Sequence, residues 1–191
     1  APAAAVAALA AAIQETPQAR LLAFSARART AKALNRDFAK GRNKAEAAWQ
    51  SVASLLREFA ALATGQEETL IVIDKQGGRH FYAALLGETF DCPLVATRRE
   101  GPGGSEYQIG HCRFLFVPRG EQAAFPVALA SMLAKYLRER FMAGLNRWFA
   151  ARLPGLAPTA GYHGDAPRYY EAVKPVLRAE GIAVGDFWRL R

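Results

Sequence analysis

The spacing of hydrophobic residues alternates along the chain between a helical period and continuous runs typical of buried strands. Apolar residues of 43–63 recur every three or four positions, which predicts an amphipathic helix. This stripe contains Ala45, Trp49, Val52, Leu55, Leu56, Phe59 and Leu62. The next apolar run, residues 70–73, is continuous and ends at Asp74, before a turn signal at Gly77 and Gly78. It predicts a buried strand that carries an acid at its carboxyl end.

Similar patterns predict the remaining elements. Further helices are expected over 3–14, 80–90, 123–151 and 166–179. Further strands are expected over 93–98, 105–111 and 113–117. A basic, weakly amphipathic segment covers 25–40, and a basic tail begins at Gly181. The sequence therefore predicts one α/β domain over residues 1–191, with a mixed sheet flanked by helices and an N-terminal helical segment over 1–29.

The predicted helix over 123–151 carries polar residues along one side. Its apolar residues cover most of the remaining surface: Phe125, Leu129, Met132, Leu133, Tyr136, Leu137, Phe141, Leu145, Trp148 and Phe149. The polar side, here named the polar strip, consists of Ser131, Lys135, Arg138, Glu139 and Met142, which recur at helical spacing. We expect a mostly buried helix with such a strip to line a functional site.

Composition narrows the possible partners. The chain has 25 Lys and Arg against 17 Asp and Glu, a net charge of +8, which favours a polyanionic partner such as nucleic acid. Charge alone leaves this open, since many basic proteins bind nothing acidic. No apolar run approaches the roughly 20 residues of a membrane span. The two cysteines, Cys92 and Cys112, have no zinc-binding spacing and indicate reduced thiols in a cytoplasmic protein. Neither a phosphate-binding loop nor a dinucleotide fingerprint occurs.

Residues 130–142 read A-S-M-L-A-K-Y-L-R-E-R-F-M. They resemble, without a gap, the helix A-S-I-I-A-K-V-x-R-D-x-x-M of the type 2 ribonucleases H, the family of ribonuclease HII. Glu139 stands where the family usually has aspartate. The resemblance is strongest over 120–170. It implies a ribonuclease H-like fold and an endonuclease that cleaves the RNA strand of RNA–DNA hybrids, or cleaves at ribonucleotides embedded in DNA, with Mg²⁺ or Mn²⁺.

The resemblance also implies which acids act. Two-metal cleavage needs carboxylates that converge from different elements. Asp74 falls where the family has the acid of its L-V-D-G strand end, and Glu121 is similar in position to the acid of the family's G-D pair. Asp74 and Glu139 are thus implied to be catalytic and, with Glu121, to bind metal.

Two of these acids have a simpler explanation. Asp74 is also a good turn residue, which can bond the backbone of Gly77 or Gly78. Glu139 can form a surface salt bridge with Lys135 or Arg140.

Substrate-binding residues follow from the same resemblance. The segment Pro158–Tyr162 resembles the family's G-Y-G-T loop, which implies that Tyr162 packs on the sugar at an RNA–DNA junction. Lys135, Ser131 and Arg138 are implied to face the substrate, with Lys135 and Ser131 on a phosphate. The alternatives are a loop tyrosine buried against the next helix and an ordinary helix-surface lysine.

Arg42 and Asn43 precede the Trp49 helix, where the family has an asparagine near its substrate. Both are therefore candidates for substrate binding. Asn43 is also a good N-cap for that helix, which is the alternative explanation.

The family's opening motif, D-E-x-G-x-G, does not occur in these 191 residues. We therefore expect an incomplete chain that lacks its first strands, rather than a minimal relative. Two other classes of function stay open. One is a non-catalytic nucleic-acid-binding module that has lost a complete metal site, and the other is a subunit whose apolar faces meet a partner protein.

Overall fold

The structure is a computed structural model that describes Ala11, Glu15, residues 21–63 and residues 67–190. Apart from Ala11, the helix predicted over 3–14 lies outside the described residues. The expected helical character of 1–29 is wrong for 21–29, which contains no helix or strand. In this irregular part Arg27 donates to Ser54 Oγ at 2.9 Å and pairs with Glu58, both on a later helix.

Seven helices and four strands occur in the described residues. The helices are α1 (Ala31–Ala39), α2 (Lys44–Leu62), α3 (Ala83–Phe90), α4 (Gly120–Ala123), α5 (Phe125–Ala150), α6 (Ala166–Ala179) and α7 (Val184–Phe187). The strands are β1 (Thr69–Asp74), β2 (Ala96–Arg99), β3 (Ser105–Ile109) and β4 (Cys112–Val117). The predicted mixed α/β class is confirmed, whereas the ribonuclease H-like topology stays a prediction.

The starts of two elements differ by three residues from the predicted ones. Helix α3 begins at Ala83 instead of His80, and strand β2 begins at Ala96 instead of Pro93. The start of α3 is delayed because the preceding backbone is tied to strand β3. The carbonyl oxygen of His80 accepts a hydrogen bond from Ser105 Oγ at 2.6 Å.

The sheet has the strand order β1-β4-β3-β2. Strands β1 and β4 are parallel, with Ile71 opposite Phe114 and Asp74 opposite Val117, and the other pairs are antiparallel. The predicted mixed sheet is confirmed. Because parallel strands end at the same edge, Asp74 lies beside the segment that leads from β4 into α4.

The main core packs helices α2 and α3 against one face of this sheet. Its buried residues are Trp49, Ala53, Leu56, Tyr82, Leu86, Tyr107, Cys112, Phe114 and Phe116. The rings of Tyr82 and Phe116 are stacked, with centroids 3.7 Å apart and planes 8° from parallel. This stacking fixes the start of α3 against the centre of the sheet.

A second core lies at the carboxyl end of the chain. Phe149 of α5 packs with Tyr169, Val173, Val176 and Leu177 of α6, and Phe187 of α7 packs against them. The predicted basic tail from Gly181 is thus in part a folded element. It docks on α1 because the Asn35 amide donates to the carbonyl oxygens of Gly185 and Trp188, at 2.7 and 2.8 Å.

Helix α5 joins the two cores and is less buried than expected. Its buried residues are Val127 and Phe149. Residues 130–141 are exposed, apart from the half-buried Leu133. The expectation of a mostly buried helix is therefore wrong, because α5 packs on the sheet through its first turns and on the second core through its last turns. A 26-residue helix spans about 39 Å, which leaves the middle uncovered.

We expect replacement of Tyr107 by Phe to destabilise the main core. The Tyr107 oxygen accepts the Tyr82 N–H at 2.9 Å, and its O–H donates to Glu100 Oε1 at 2.5 Å. Tyr107→Phe leaves a buried N–H without an acceptor, which costs about 1–3 kcal/mol in urea-induced unfolding. Tyr162→Phe is the control, because the Tyr162 side chain is exposed.

The cost of Tyr107→Phe also depends on pH. Burial, and next the hydrogen bond to Glu100, raises the pKa of Tyr107 to about 12. Since this lies above the pKa of about 10 for an unfolded tyrosine, the contribution of the neutral phenol to native-state stability is fully present below about pH 10 and is lost as the pH rises towards 12. The difference in unfolding free energy between wild type and variant shrinks as the pH rises from about 10 towards 12. A constant difference over this range contradicts the assignment.

Candidate nucleic-acid interface

Asp74 lies at the carboxyl end of β1 with its side chain exposed. Its Oδ1 accepts the backbone N–H of Gly120 at 2.8 Å, instead of bonding Gly77 or Gly78. A Cβ atom at Gly120 would lie 3.3 Å from the Asp74 Cα and 3.0 Å from Val127 Cγ1. Only glycine allows this approach without a shift. Gly120 therefore fixes the Asp74 carboxylate next to the first turn of α5.

The loop before α6 is held on the last part of α5. Asn146 Nδ2 donates to the Thr159 carbonyl oxygen at 2.8 Å, and Asn146 Oδ1 accepts the Thr159 N–H at 3.0 Å. Gly161 has φ +71°, and a Cβ there would lie 3.1 Å from Met142 Cε. Asn146 was not among the predicted site residues. Its position four residues after Met142, in line with the polar strip, is the signal that could have identified it.

Tyr162 and Arg138, two predicted substrate-binding residues, are brought together by this loop. The Arg138 guanidinium carbon lies 4.6 Å from the centroid of the Tyr162 ring. Arg138 also donates a hydrogen bond to the Ala160 carbonyl oxygen at 2.5 Å. The Tyr162 residue is 65% exposed, so the alternative of a tyrosine buried against the next helix is wrong. A ring held by a cation and open to solvent is a surface on which a base or sugar can stack.

The polar strip lies between the Asp74 region and the Tyr162 loop. Val127, Ser131 and Lys135 follow one another at intervals of four residues, so they share the side of α5 that meets Gly120 at one end. Ser131 and Lys135 are exposed. From Val127 to Arg138 the helix rises about 16 Å, which corresponds to about five nucleotides at 3.4 Å per strand step.

Glu121 and Glu139 are both exposed. Glu121 directly follows Gly120, whose N–H bonds Asp74, whereas Glu139 lies in the exposed middle of α5. The salt bridge of Glu139 with Lys135 or Arg140, considered above, is not present among the described residues.

An ion site can be tested against these positions. Within residues 21–63 and 67–190, no three His, Cys, Asp or Glu side chains are grouped so that they could hold a metal ion. The carboxylates present in the described residues therefore do not by themselves fit Mg²⁺ or Mn²⁺.

Arg42 and Asn43 stabilise the junction of α1 and α2. Arg42 Nη1 pairs with Oδ1 of the buried Asp37 at 2.8 Å, and Arg29 pairs with the same carboxylate. Asn43 is the N-cap of α2 in a capping box, where its side chain accepts from the Glu46 N–H and the Glu46 side chain accepts from the Asn43 N–H. The N-cap interpretation of Asn43 is thus confirmed. In the described residues neither side chain hydrogen-bonds to the polar strip.

A polar cluster beside Asp74 was not predicted. The Lys75 ammonium contacts His80 Nδ1 at 2.7 Å and donates to the carbonyl oxygens of Gly101 and Pro102, at 2.7 and 3.2 Å. Lys75 therefore joins the glycine-rich loop that follows β1 to the loop of Gly101, which lies 26 residues further along the chain. It supports the loops next to Asp74, and in the described residues it forms no salt bridge with the Asp74 carboxylate.

We expect Asn146→Ala to release the loop that carries Tyr162. The substitution removes both hydrogen bonds to the buried Thr159 backbone, and unpaired buried groups cost about 1–3 kcal/mol. Hydrogen exchange at the Thr159 and Gly161 amides should rise by about tenfold or more, since each 1.4 kcal/mol is a factor of ten. The matched control is Arg147→Ala, the exposed neighbour in the same turn. Equal exchange in both variants contradicts the role of Asn146.

None of the helices in the described part of the chain is long and apolar enough to cross a membrane. No protein-family model matches the chain, and no curated protein or solved structure matches it. The polar strip and its surroundings are therefore the basis for a functional proposal.

Proposed function

We propose that this protein is an endonuclease that binds RNA–DNA hybrids, or DNA with embedded ribonucleotides, along the polar strip and cleaves at the RNA. One observation carries the proposal: the exposed Tyr162 ring rests on the guanidinium of Arg138. Arg138 belongs to the same helix as Lys135 and Ser131. An aromatic surface beside a line of phosphate-binding donors is the combination by which proteins hold nucleic acid.

The residues of the strip divide the binding between them. Lys135 supplies a point charge and Ser131 a hydroxyl donor, both suited to a backbone phosphate. Arg138 holds the Tyr162 loop through Ala160 and keeps further N–H donors for substrate. Tyr162 offers its exposed ring, and stacking contributes about 1–3 kcal/mol per base. The net charge of +8 adds attraction over a longer range.

Asp74 is the candidate catalytic carboxylate. One of its oxygens is fixed by the Gly120 N–H, and the side chain is exposed at the end of a parallel strand. The resemblance to type 2 ribonucleases H assigns Mg²⁺ or Mn²⁺ to Asp74, Glu139 and Glu121. The described carboxylates do not complete an ion site, so the proposal of cleavage is supported by the resemblance and by the placement of Asp74.

A second candidate function is a nucleic-acid-binding module without turnover. The observation that favours it is that Asp74, Glu121 and Glu139 do not form a three-carboxylate group in the described residues. Such a module keeps the strip and Tyr162 and binds hybrid without cleaving it. In either case we place the protein in the cytoplasm, where Cys92 and Cys112 stay unpaired, as they are in the structure.

Binding is tested by fluorescence anisotropy with a labelled RNA–DNA hybrid over a range of salt concentrations. We expect Tyr162→Ala to raise the dissociation constant by about 5- to 150-fold, equivalent to 1–3 kcal/mol. Lys135→Ala should reduce the slope of log affinity against log salt by about one, because one phosphate contact is lost. Arg147→Ala, which removes a charge from the opposite side of α5, is the control. If Tyr162→Ala and Lys135→Ala both bind like wild type, the strip is not the binding surface.

Cleavage is tested separately with the same hybrid and Mg²⁺ or Mn²⁺. Asp74→Asn removes the carboxylate charge but keeps the side-chain shape, so we expect loss of hydrolysis with unchanged anisotropy. Asp91→Asn, at an exposed aspartate remote in sequence from the strip, serves as the matched control. Undiminished cleavage by Asp74→Asn contradicts the catalytic role. Binding by the wild type without cleavage in either metal favours the binding module.

A further inference from the structure

The loop between β1 and α3 exposes an aromatic ring, Phe81, at the edge of the sheet where Asp74 lies. Phe81 is 70% exposed and belongs to neither of the two cores. A single exposed apolar residue needs no special explanation by itself. Phe81 differs from such a residue because the backbone on both sides of it is tied to the buried centre of the sheet.

Two hydrogen bonds fix that backbone. The carbonyl oxygen of His80 accepts from Ser105 Oγ at 2.6 Å, and the N–H of Tyr82 donates to the Tyr107 oxygen at 2.9 Å. Ser105, Tyr82 and Tyr107 are all fully buried. Phe81 thus stands between two anchored residues, so that a ligand binding to its ring has little loop motion to arrest.

The Phe81 ring is also supported at its side. The His80 ring lies at 85° to it, with the two centroids 6.4 Å apart, which is an edge-to-face arrangement. His80 Nδ1 in turn contacts the Lys75 ammonium at 2.7 Å, and Lys75 directly follows Asp74. An exposed ring that is held in this way offers a flat surface for stacking.

The charges of this loop favour a nucleic acid as the ligand. Residues 75–87 contain Lys75, Arg79 and His80 but no Asp or Glu. In the described part of the chain neither Lys75 nor Arg79 forms a salt bridge. The Arg79 guanidinium carbon lies 6.0 Å from the centroid of the Tyr82 ring, beside the exposed phenylalanine. A base on the ring brings a phosphate to these cations, whereas an apolar pocket of a partner protein would not.

The position of the loop indicates which base can reach the ring. Bases inside a duplex are covered on both faces by their neighbours, so only a terminal or unpaired base has a face free to stack on a side chain. The loop follows Asp74 directly, and Asp74 lies at the end of the polar strip where α5 begins. A hybrid on the polar strip would therefore meet Phe81 with the nucleotides that extend beyond its paired part.

We propose that Phe81 is a second stacking surface, which binds the first unpaired base next to a hybrid held on the polar strip. This inference rests on the proposed function and names a substrate class for the same site. That class is an RNA–DNA hybrid with a single-stranded extension, in preference to a blunt hybrid.

Fluorescence anisotropy tests the proposal with a blunt labelled hybrid and with hybrids that carry a short unpaired extension, placed on each strand end in turn. We expect one extended hybrid to bind the wild type about 5- to 150-fold more tightly than the blunt one, the gain from one stacked base. Phe81→Ala should remove this gain and leave the affinity for the blunt hybrid unchanged. Phe81→Trp should retain it. Leu94→Ala is the matched control, because Leu94 is apolar, 84% exposed and lies in the next loop.

A fluorescent adenine analogue at the first unpaired position reports stacking directly. Its emission should fall when the wild type binds and should stay unchanged with Phe81→Ala, whose folding is checked by circular dichroism. The same analogue at a paired position should not distinguish the two proteins, because a paired base does not reach the ring.

The outcomes separate this inference from the proposed function. If the wild type binds blunt and extended hybrids equally, or if folded Phe81→Ala keeps the gain, the stacking role of Phe81 is wrong while hybrid binding on the polar strip stands. Retention of the gain also makes the ring a candidate contact for a partner protein. Binding of the extended hybrid alone, dependent on Phe81, supports the stacking surface and contradicts duplex binding on the strip. Binding of neither hybrid contradicts both proposals.

Discussion

The parallel pairing of β1 with β4 is the interaction on which the arrangement of the site depends. It brings the ends of two strands that are separated by 37 residues of chain to one edge of the sheet, where Asp74 lies opposite Val117. The chain then turns through Gly120, whose missing side chain lets its N–H reach the Asp74 carboxylate. Helix α5 starts from this point. The sheet thereby sets both the position of the acid and the origin of the helix that carries the polar strip.

The same helix is fixed a second time at its far end. Asn146 and Arg138 bond the loop of Thr159 and Ala160, and Phe149 enters the second core. Between these anchors α5 has to be stable as a helix with its middle in solvent, where neighbouring elements contribute little. Such a segment is stabilised mainly by its own helix-forming residues, which are plentiful over 128–138, and by whatever binds its exposed sides. An exposed middle with two unlike sides is thus suited to two different contacts.

Local sequence patterns predicted where helices and strands lie better than they predicted which other elements pack against them. The helix over 166–179 was predicted at its observed bounds, and α2 is flanked by the predicted ends Asn43 and Ala63, because apolar spacing and capping act within a few residues. The spacing of α5 identified which residues share a side, but not what covers that side, so its middle was wrongly expected to be buried. The docking of 181–190 was missed because Asn35 bonds Gly185 across 150 residues. Of the site, the pair of Arg138 and Tyr162 was named, but the support from Asn146 was not.

A rigid helix between Asp74 and Tyr162 has a consequence for substrate choice. The two groups lie at opposite ends of the polar strip. The helix between them has a fixed rise of about 1.5 Å per residue and does not bend freely. Under the proposed function, a nucleic acid that packs on Tyr162 runs along the polar strip towards Asp74, and the rise of about 16 Å from Val127 to Arg138 corresponds to about five nucleotide steps at 3.4 Å per step. A duplex keeps a regular distance over such a span, whereas a flexible single strand does not. Under the proposed function, the rigid α5 therefore favours a double-stranded substrate over a single strand, whatever its sequence.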